Sequence, residues 1–154
     1  MCEKQAIWER IITALPVSLP DTAHAYYYSA ACYRKLGEYE KTVEYYEKVV
    51  SDWPDYEYAG IAQCLVGDYL QKLMSAGGLS STEAWPKIEQ AYLAVIENYS
   101  DSLSAPDACL KMARIRRNKG QVTQAIWFYE QFLEFAKPTD SRIERITGKL
   151  AELK

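Results

Sequence analysis

His24 is the only histidine in the chain, and an imidazole that titrates near neutral pH is where acid–base or nucleophilic chemistry would begin. No serine, cysteine or aspartate stands in a recognisable nucleophile motif around it, so a catalytic histidine is not expected. The four cysteines, Cys2, Cys32, Cys64 and Cys109, lie 30, 32 and 45 residues apart. That spacing matches neither a C-x-x-C redox pair nor a zinc site, and they read as structural thiols. Met1-Cys2 places a cysteine where a lipid-anchored mature chain would carry one. No hydrophobic leader precedes it and a helical pattern follows at once, so an anchor is not expected. There is no Walker loop and no G-x-G-x-x-G, and the Gly77-Gly78 pair has no strand before it. Carboxylates are scattered along outer helix faces, where solvation accounts for them. No catalytic residue, cofactor site or metal site is expected, and the chain does not read as an enzyme.

Basic residues are less evenly spread. "KMARIRRNKG", residues 111 to 120, holds Lys111, Arg114, Arg116, Arg117 and Lys119 towards the end of a helical stretch, where cations favour the carbonyl end of the dipole. A nucleic-acid surface would want a basic domain and interleaved aromatics, and neither is found nearby. The remaining use is to pair with carboxylates, whose geometry the guanidinium fork matches.

The elements that position these residues follow from length and pattern. At 154 residues, 49% apolar and 25% charged with a formal charge of −3, the chain can bury a sizeable core and is not a disordered tail. Global attraction to nucleic acid or anionic membrane is not expected. No apolar run approaches the roughly 20 residues a membrane span needs, so direct membrane insertion is not expected. No targeting segment is read, and a cytoplasmic or a bacterial periplasmic setting both fit.

In "YRKLGEYEKTVEYYEKVV", residues 33 to 50, and just beyond it, Tyr39, Val43, Tyr46, Val49, Val50 and Trp53 mark one face of a helix. Pro54 stops it. Tyr26, Ser29, Ala30 and Tyr33 mark the inner face of a preceding helix, and Gly37 between the two reads as cap and turn. This hairpin recurs. A shift of 46 residues carries Tyr46, Val49, Val50 and Trp53 onto Tyr92, Val95, Ile96 and Tyr99. A further 37 carries Tyr92, Val95 and Ile96 onto Tyr129, Phe132 and Leu133, and a backward shift of 38 lands on Trp8, Ile11, Ile12 and Leu15. The small residues Ala30, Gly67 and Ala113 correspond in mid-helix, and the glycine turn returns at Gly120.

The order Tyr26-x-x-Ser29-Ala30-x-x-Tyr33, Gly37-x-Tyr39, Thr42-x-x-x-Tyr46, Pro54 resembles the tetratricopeptide repeat. Ser29 replaces that family's usual Leu and Thr42 its usual Ala. The period of 37 to 38 is longer than the usual 34 and is similar to bacterial envelope and assembly members. The resemblance implies an all-α, right-handed array of helical hairpins, an α-solenoid of about eight helices in a single domain over 1–154. Within it, 3–15 would be a half repeat, 20–54 a first repeat, 56–99 a second, 104–137 a third and 140–153 a capping helix. It also implies protein or peptide binding in a concave groove lined by first helices, in a scaffold or adaptor role. Carried over by alignment, that groove would include Tyr27, Arg34, Lys35, Asp68, Lys72, Arg114, Arg117 and Asn118. Cations outnumber anions in the full implied lining, which points to an acidic segment in the partner. The alternatives are a structural segment of a larger array, self-association through the half repeat, and an accessory domain of a multidomain enzyme.

Two departures from the template carry expectations of their own. Gly67 to Val95 spans 28 residues where Ala30 to Val49 and Ala113 to Phe132 each span 19. The excess includes "SAGGLSST", 75–82, whose glycines and serines suggest a flexible inserted loop, with Pro86 in the first turn of the following helix. Near the end, Ile143, Ile146, Leu150 and Leu153 form one stripe, with Ser141 and Glu144 spaced as a capping box.

Overall fold

At Gly37 the backbone turns left-handed, with φ 76°, and two helices meet. In a computed structural model, which describes residues 4–16 and 18–154, these are α2 (Pro20–Leu36) and α3 (Tyr39–Asp52). The expectations for Cys2 lie outside the described residues. The remaining helices are α1 (Gln5–Ala14), α4 (Ala59–Ser75), α5 (Ser81–Asn98), α6 (Ala105–Asn118), α7 (Val122–Phe135) and α8 (Ile143–Leu153). Among the described residues there are eight helices and no strand, as an all-α hairpin array requires. None of the helices is long and apolar enough to cross a membrane. The chain divides into two units, Met1–Ala91 and Tyr92–Lys154, with the division inside α5.

The turn after α2 is built from the groups a helix end leaves without partners. The Glu38 N–H donates to the Tyr33 carbonyl at 3.0 Å and the Gly37 N–H to Arg34 at 3.2 Å, a Schellman arrangement that only glycine enters without strain. It returns after α6, where Gly120 has φ 70°, Gln121 donates to Arg116 at 2.8 Å and Gly120 to Arg117 at 2.9 Å.

It also returns where the sequence suggested a flexible insertion. Gly77 has φ 82°, Gly78 donates to Leu73 at 3.0 Å and Gly77 to Met74 at 3.1 Å. At the adjacent Gly78 a Cβ would come within 2.6 Å of Leu73 Cδ1, which that side chain would have to move to relieve. Ser80 then opens α5: its hydroxyl accepts the Glu83 N–H at 3.4 Å and donates to Glu83 Oε2 at 2.5 Å, and hydrogen bonds from the Ser80 hydroxyl and backbone hold the Glu83 carboxyl below its usual pKa. The extra residues are shared between α5, 18 residues long against 14 in α3, a later end to α4 and the connection 76–80, which is longer than the 37–38 turn. Pro86 is the sixth residue of α5, not part of its first turn. The Ser80 cap starts the helix earlier than the proline suggested, and the helix tolerates the missing donor at an exposed position. Gly77→Ala is expected to cost about 1 kcal/mol, as are Gly37→Ala and Gly120→Ala, because no atom lies within 4 Å of the added Cβ and the strain is purely backbone. Urea denaturation checks this; no loss at Gly77 would restore the flexible loop.

The repeated positions form the cores. In the first unit Ala30 and Val49 are fully buried and Tyr46 is nearly so. In the second, Tyr92, Val95, Met112, Ala113 and Phe132 are fully buried. Removing a side chain of this size from water contributes about 1.5–3 kcal/mol. Of the two departures from the family pattern, Thr42 has a local account. Thr42 is buried and its hydroxyl donates to the Glu38 carbonyl at 2.9 Å. Ser29 is buried and its hydroxyl finds no partner among the described residues; on the same helix Tyr26 is tilted against Tyr45 and Trp53, and Tyr33 meets Tyr45 edge-on. In α1 the template residues are less well covered. None of its residues is fully buried, it packs on α2, and the Tyr33 hydroxyl ties the pair by donating to Glu9. Cys32, Cys64 and Cys109 are buried; burial pushes the Cys109 thiol up to about 12, so it is a core thiol and not a nucleophile.

The capping box expected at Ser141 and Glu144 does not form, since α8 has no side-chain cap of that kind. Asp140 takes over the helix start, accepting the Arg142 N–H and its Nε, each at 2.9 Å, and Nη2 at 2.7 Å. The Asp140 carboxylate is charged and accepts several donors at once, which a serine hydroxyl cannot match. Ile146 and Leu150 are buried as the apolar stripe requires.

Candidate functional site

The basic run 111–120 is divided by the helical period. Lys111, Arg114 and Arg117 fall at three-residue steps on one side of α6 and line a cleft of about 370 Å³. Arg116 points instead to the hairpin turn, where its Nη1 donates to Gln121 Oε1 at 3.1 Å. The opposite wall of the cleft comes from the start and exposed face of α8, through Arg142, Arg145 and Lys149. Between the walls lie Leu110, the Tyr129 ring from α7 and Ile146. The volume is within the range of ordinary ligand sites, about 300–1,000 Å³.

Arg142 sets the wall in place. Its guanidinium reaches Asp140 as above, donates through Nη1 to Asp107 on α6, and lies 5.3 Å above the Phe132 ring. These bonds hold the Asp140 carboxyl down to about 2 and raise the guanidinium further, so the pair is fully charged at neutral pH. Arg114, Arg117 and Arg145, by contrast, make no ion pair among the described residues and have solvent-facing forks. Asp107 is the one acidic residue in the lining. The positive bias is local. Residues 92–154 hold ten Lys and Arg against eight Asp and Glu, while residues 1–91 hold eight against thirteen.

The other residues expected to line a groove are distributed as follows. Asn118 is exposed as the last residue of α6, outside the cleft lining. In the first unit Tyr27 is half-buried, its ring packed against Tyr28, Tyr46, Tyr56 and Tyr58, and burial raises its phenol. Next to this cluster, His24 Nδ1 is 2.8 Å from the Tyr56 hydroxyl and its ring tilts against Tyr28, on which Trp8 stacks. The lone histidine is thus part of an aromatic contact between α1, α2 and the α3–α4 connection. Arg34 is half-buried and Lys35 exposed in the last turn of α2, where both complement the helix dipole. Asp68 is half-buried and Lys72 exposed on α4.

The residues that sequence reasoning missed are Arg142, Arg145 and Lys149. Their signal was present as steps of three and four flanking the apolar stripe of the terminal helix. The stripe showed which face packs; it did not show that the flank faces α6.

The family model described as tetratricopeptide repeat matches residues 24–56. No match was found among curated proteins. Tetratricopeptide repeats generally mediate protein–protein interaction and are typically non-enzymatic modules. The matched segment runs from the aromatic cluster at His24 through α2, the Gly37 turn and α3 to Tyr56. The hairpin first read in the sequence is therefore a tetratricopeptide repeat, carried in an all-helical repeat chain.

Proposed function

We propose that this chain is a scaffold or adaptor module, and that its α6–α8 cleft binds an acidic segment of a partner protein. One observation carries the reading: in a chain of net negative charge, six cations converge on one cleft that contains a single carboxylate. Arg114, Arg117 and Arg145 add like charge to the cleft beyond the Arg142–Asp107–Asp140 pairing; gathering like charge is unfavourable in the free protein, and an anionic ligand relieves it. Helices α6 and α8 fix the backbone positions of these side chains and Asp107 and Asp140 hold the Arg142 fork, so much of the ordering cost falls on the partner segment. Salt at physiological strength screens beyond about 8 Å and weakens such an encounter without abolishing contacts inside the cleft.

The test is the affinity of a fluorescent Glu-rich peptide for the intact chain and for charge-reversed variants, Arg114→Glu with Arg117→Glu against Lys41→Glu with Lys48→Glu. Loss of affinity confined to the first pair supports the assignment. Equal losses from the two pairs would mean a diffuse surface attraction and not a site.

A further inference from the structure

The cations of the cleft are arranged in two rows, and the spacing of the rows says what shape of segment they fit. Along α6, Lys111, Arg114 and Arg117 succeed one another every three residues; along α8, Arg142, Arg145 and Lys149 follow at three and four. At 1.5 Å per residue, each step is about 4.5–6 Å and each row about 9–10 Å long. The strip between the rows is Leu110, Tyr129 and Ile146, to which the aliphatic stems of Lys111 and Lys149 add apolar surface. A matching ligand presents an apolar stripe to the strip and carboxylates on both flanks of that stripe, one turn apart.

Resting on the acidic-segment reading above, we infer that the segment is an amphipathic α-helix of about two turns, with acidic residues bordering both sides of its apolar stripe. A helix offers this pattern directly: residues three and four apart lie on one face, and a stripe with two borders occupies about half its circumference. An extended segment does not. Its side chains alternate between two faces, so an apolar residue and both acidic borders cannot point the same way. Its same-face spacing of about 6.6–6.8 Å also runs out of step with the cation rows by several ångströms over three residues. The asymmetry between the rows adds a polarity. Arg142 is held by Asp107 and Asp140, so the forks of Arg114, Arg117 and Arg145 are those left to pair with the ligand, the first two in the second half of α6.

Two labelled peptides of identical composition test this on the full chain by fluorescence anisotropy. One has Leu at helical spacing bordered by Glu and is closed by an i,i+4 side-chain bridge; the other is a bridged isomer in which Leu and Glu alternate. The helical isomer is expected to bind at least tenfold more tightly. Arg114→Gln with Arg117→Gln, and separately Arg145→Gln with Lys149→Gln, are each expected to weaken it by about tenfold or more, while circular dichroism confirms that the variants are folded. Equal affinities for the two isomers, both sensitive to Arg114 and Arg117, would overturn the helical inference and leave the acidic-segment reading standing. Sensitivity to the α6 row alone would overturn the two-walled seat. Failure of both isomers to bind the folded chain would remove the acidic-segment reading and this inference with it.

Discussion

Replacing Phe132 with alanine is expected to destabilise residues 92–154 by about 3–5 kcal/mol, the range for truncating a buried aromatic. Phe132 is fully buried and stands where Val49 and Val95 stand in the earlier copies of the template. Its ring also lies beneath the Arg142 guanidinium, so the cavity would loosen the start of α8 as well as the α6–α7 hairpin. Amide hydrogen exchange reads the effect element by element. Protection of α6 and α7 should fall by a factor of a hundred or more, since each 1.4 kcal/mol is tenfold. Trp127→Ala is the matched control on the same helix: that side chain is 48% exposed, and its loss should cost far less. If the two substitutions cost the same, the template would not be describing the core.

The second large effect concerns binding. Arg114→Glu with Arg117→Glu turns two attractions into two repulsions inside a cleft, and like charges brought together across an interface cost several kcal/mol. Affinity for a Glu-rich peptide should fall by about two orders of magnitude or more. Lys41 and Lys48 make suitable controls because each is already engaged at the surface, Lys41 with Glu38 at 2.9 Å and Lys48 with Asp52 at 2.6 Å. Exposed pairs of this kind contribute little to stability, so their reversal should leave both fold and affinity nearly unchanged.

The hairpins were legible in the sequence because two independent signals agreed: the helical period of Tyr39, Val43, Tyr46 and Val49, and a glycine placed where only a left-handed residue can turn the chain. Where the signals were separated, legibility fell. Gly77 follows Gly67 by ten residues, whereas Gly37 follows Ala30 by seven and Gly120 follows Ala113 by seven. The Gly77 turn, displaced by three residues from its template place, therefore passed for a flexible stretch. Pro86 misled for a related reason, since proline marks a first turn only by preference and α5 was already started by Ser80.

The candidate site was half legible. The α6 wall could be read because Lys111, Arg114 and Arg117 recur at three-residue steps within a dense basic run. The α8 wall could not, because the position of Arg142, Arg145 and Lys149 depends on how α8 docks. That docking is fixed by a long-range contact, Arg142 to Asp107, whose partners are 35 residues apart. Likewise Tyr27, implied as a groove residue by the resemblance, is packed among four other tyrosines, and only the fold shows how much of its ring they cover.

The proposed seat for an acidic partner segment needs α6 and α8 together. Titration of the isotope-labelled chain with an acidic amphipathic peptide, followed by amide chemical shifts, tests it most directly. Saturable shifts are expected, concentrated at Leu110, Arg114 and Arg117 on α6 and at Arg145, Ile146 and Lys149 on α8. Shifts confined to α1, α2 and α3, or absent from α8, would contradict it.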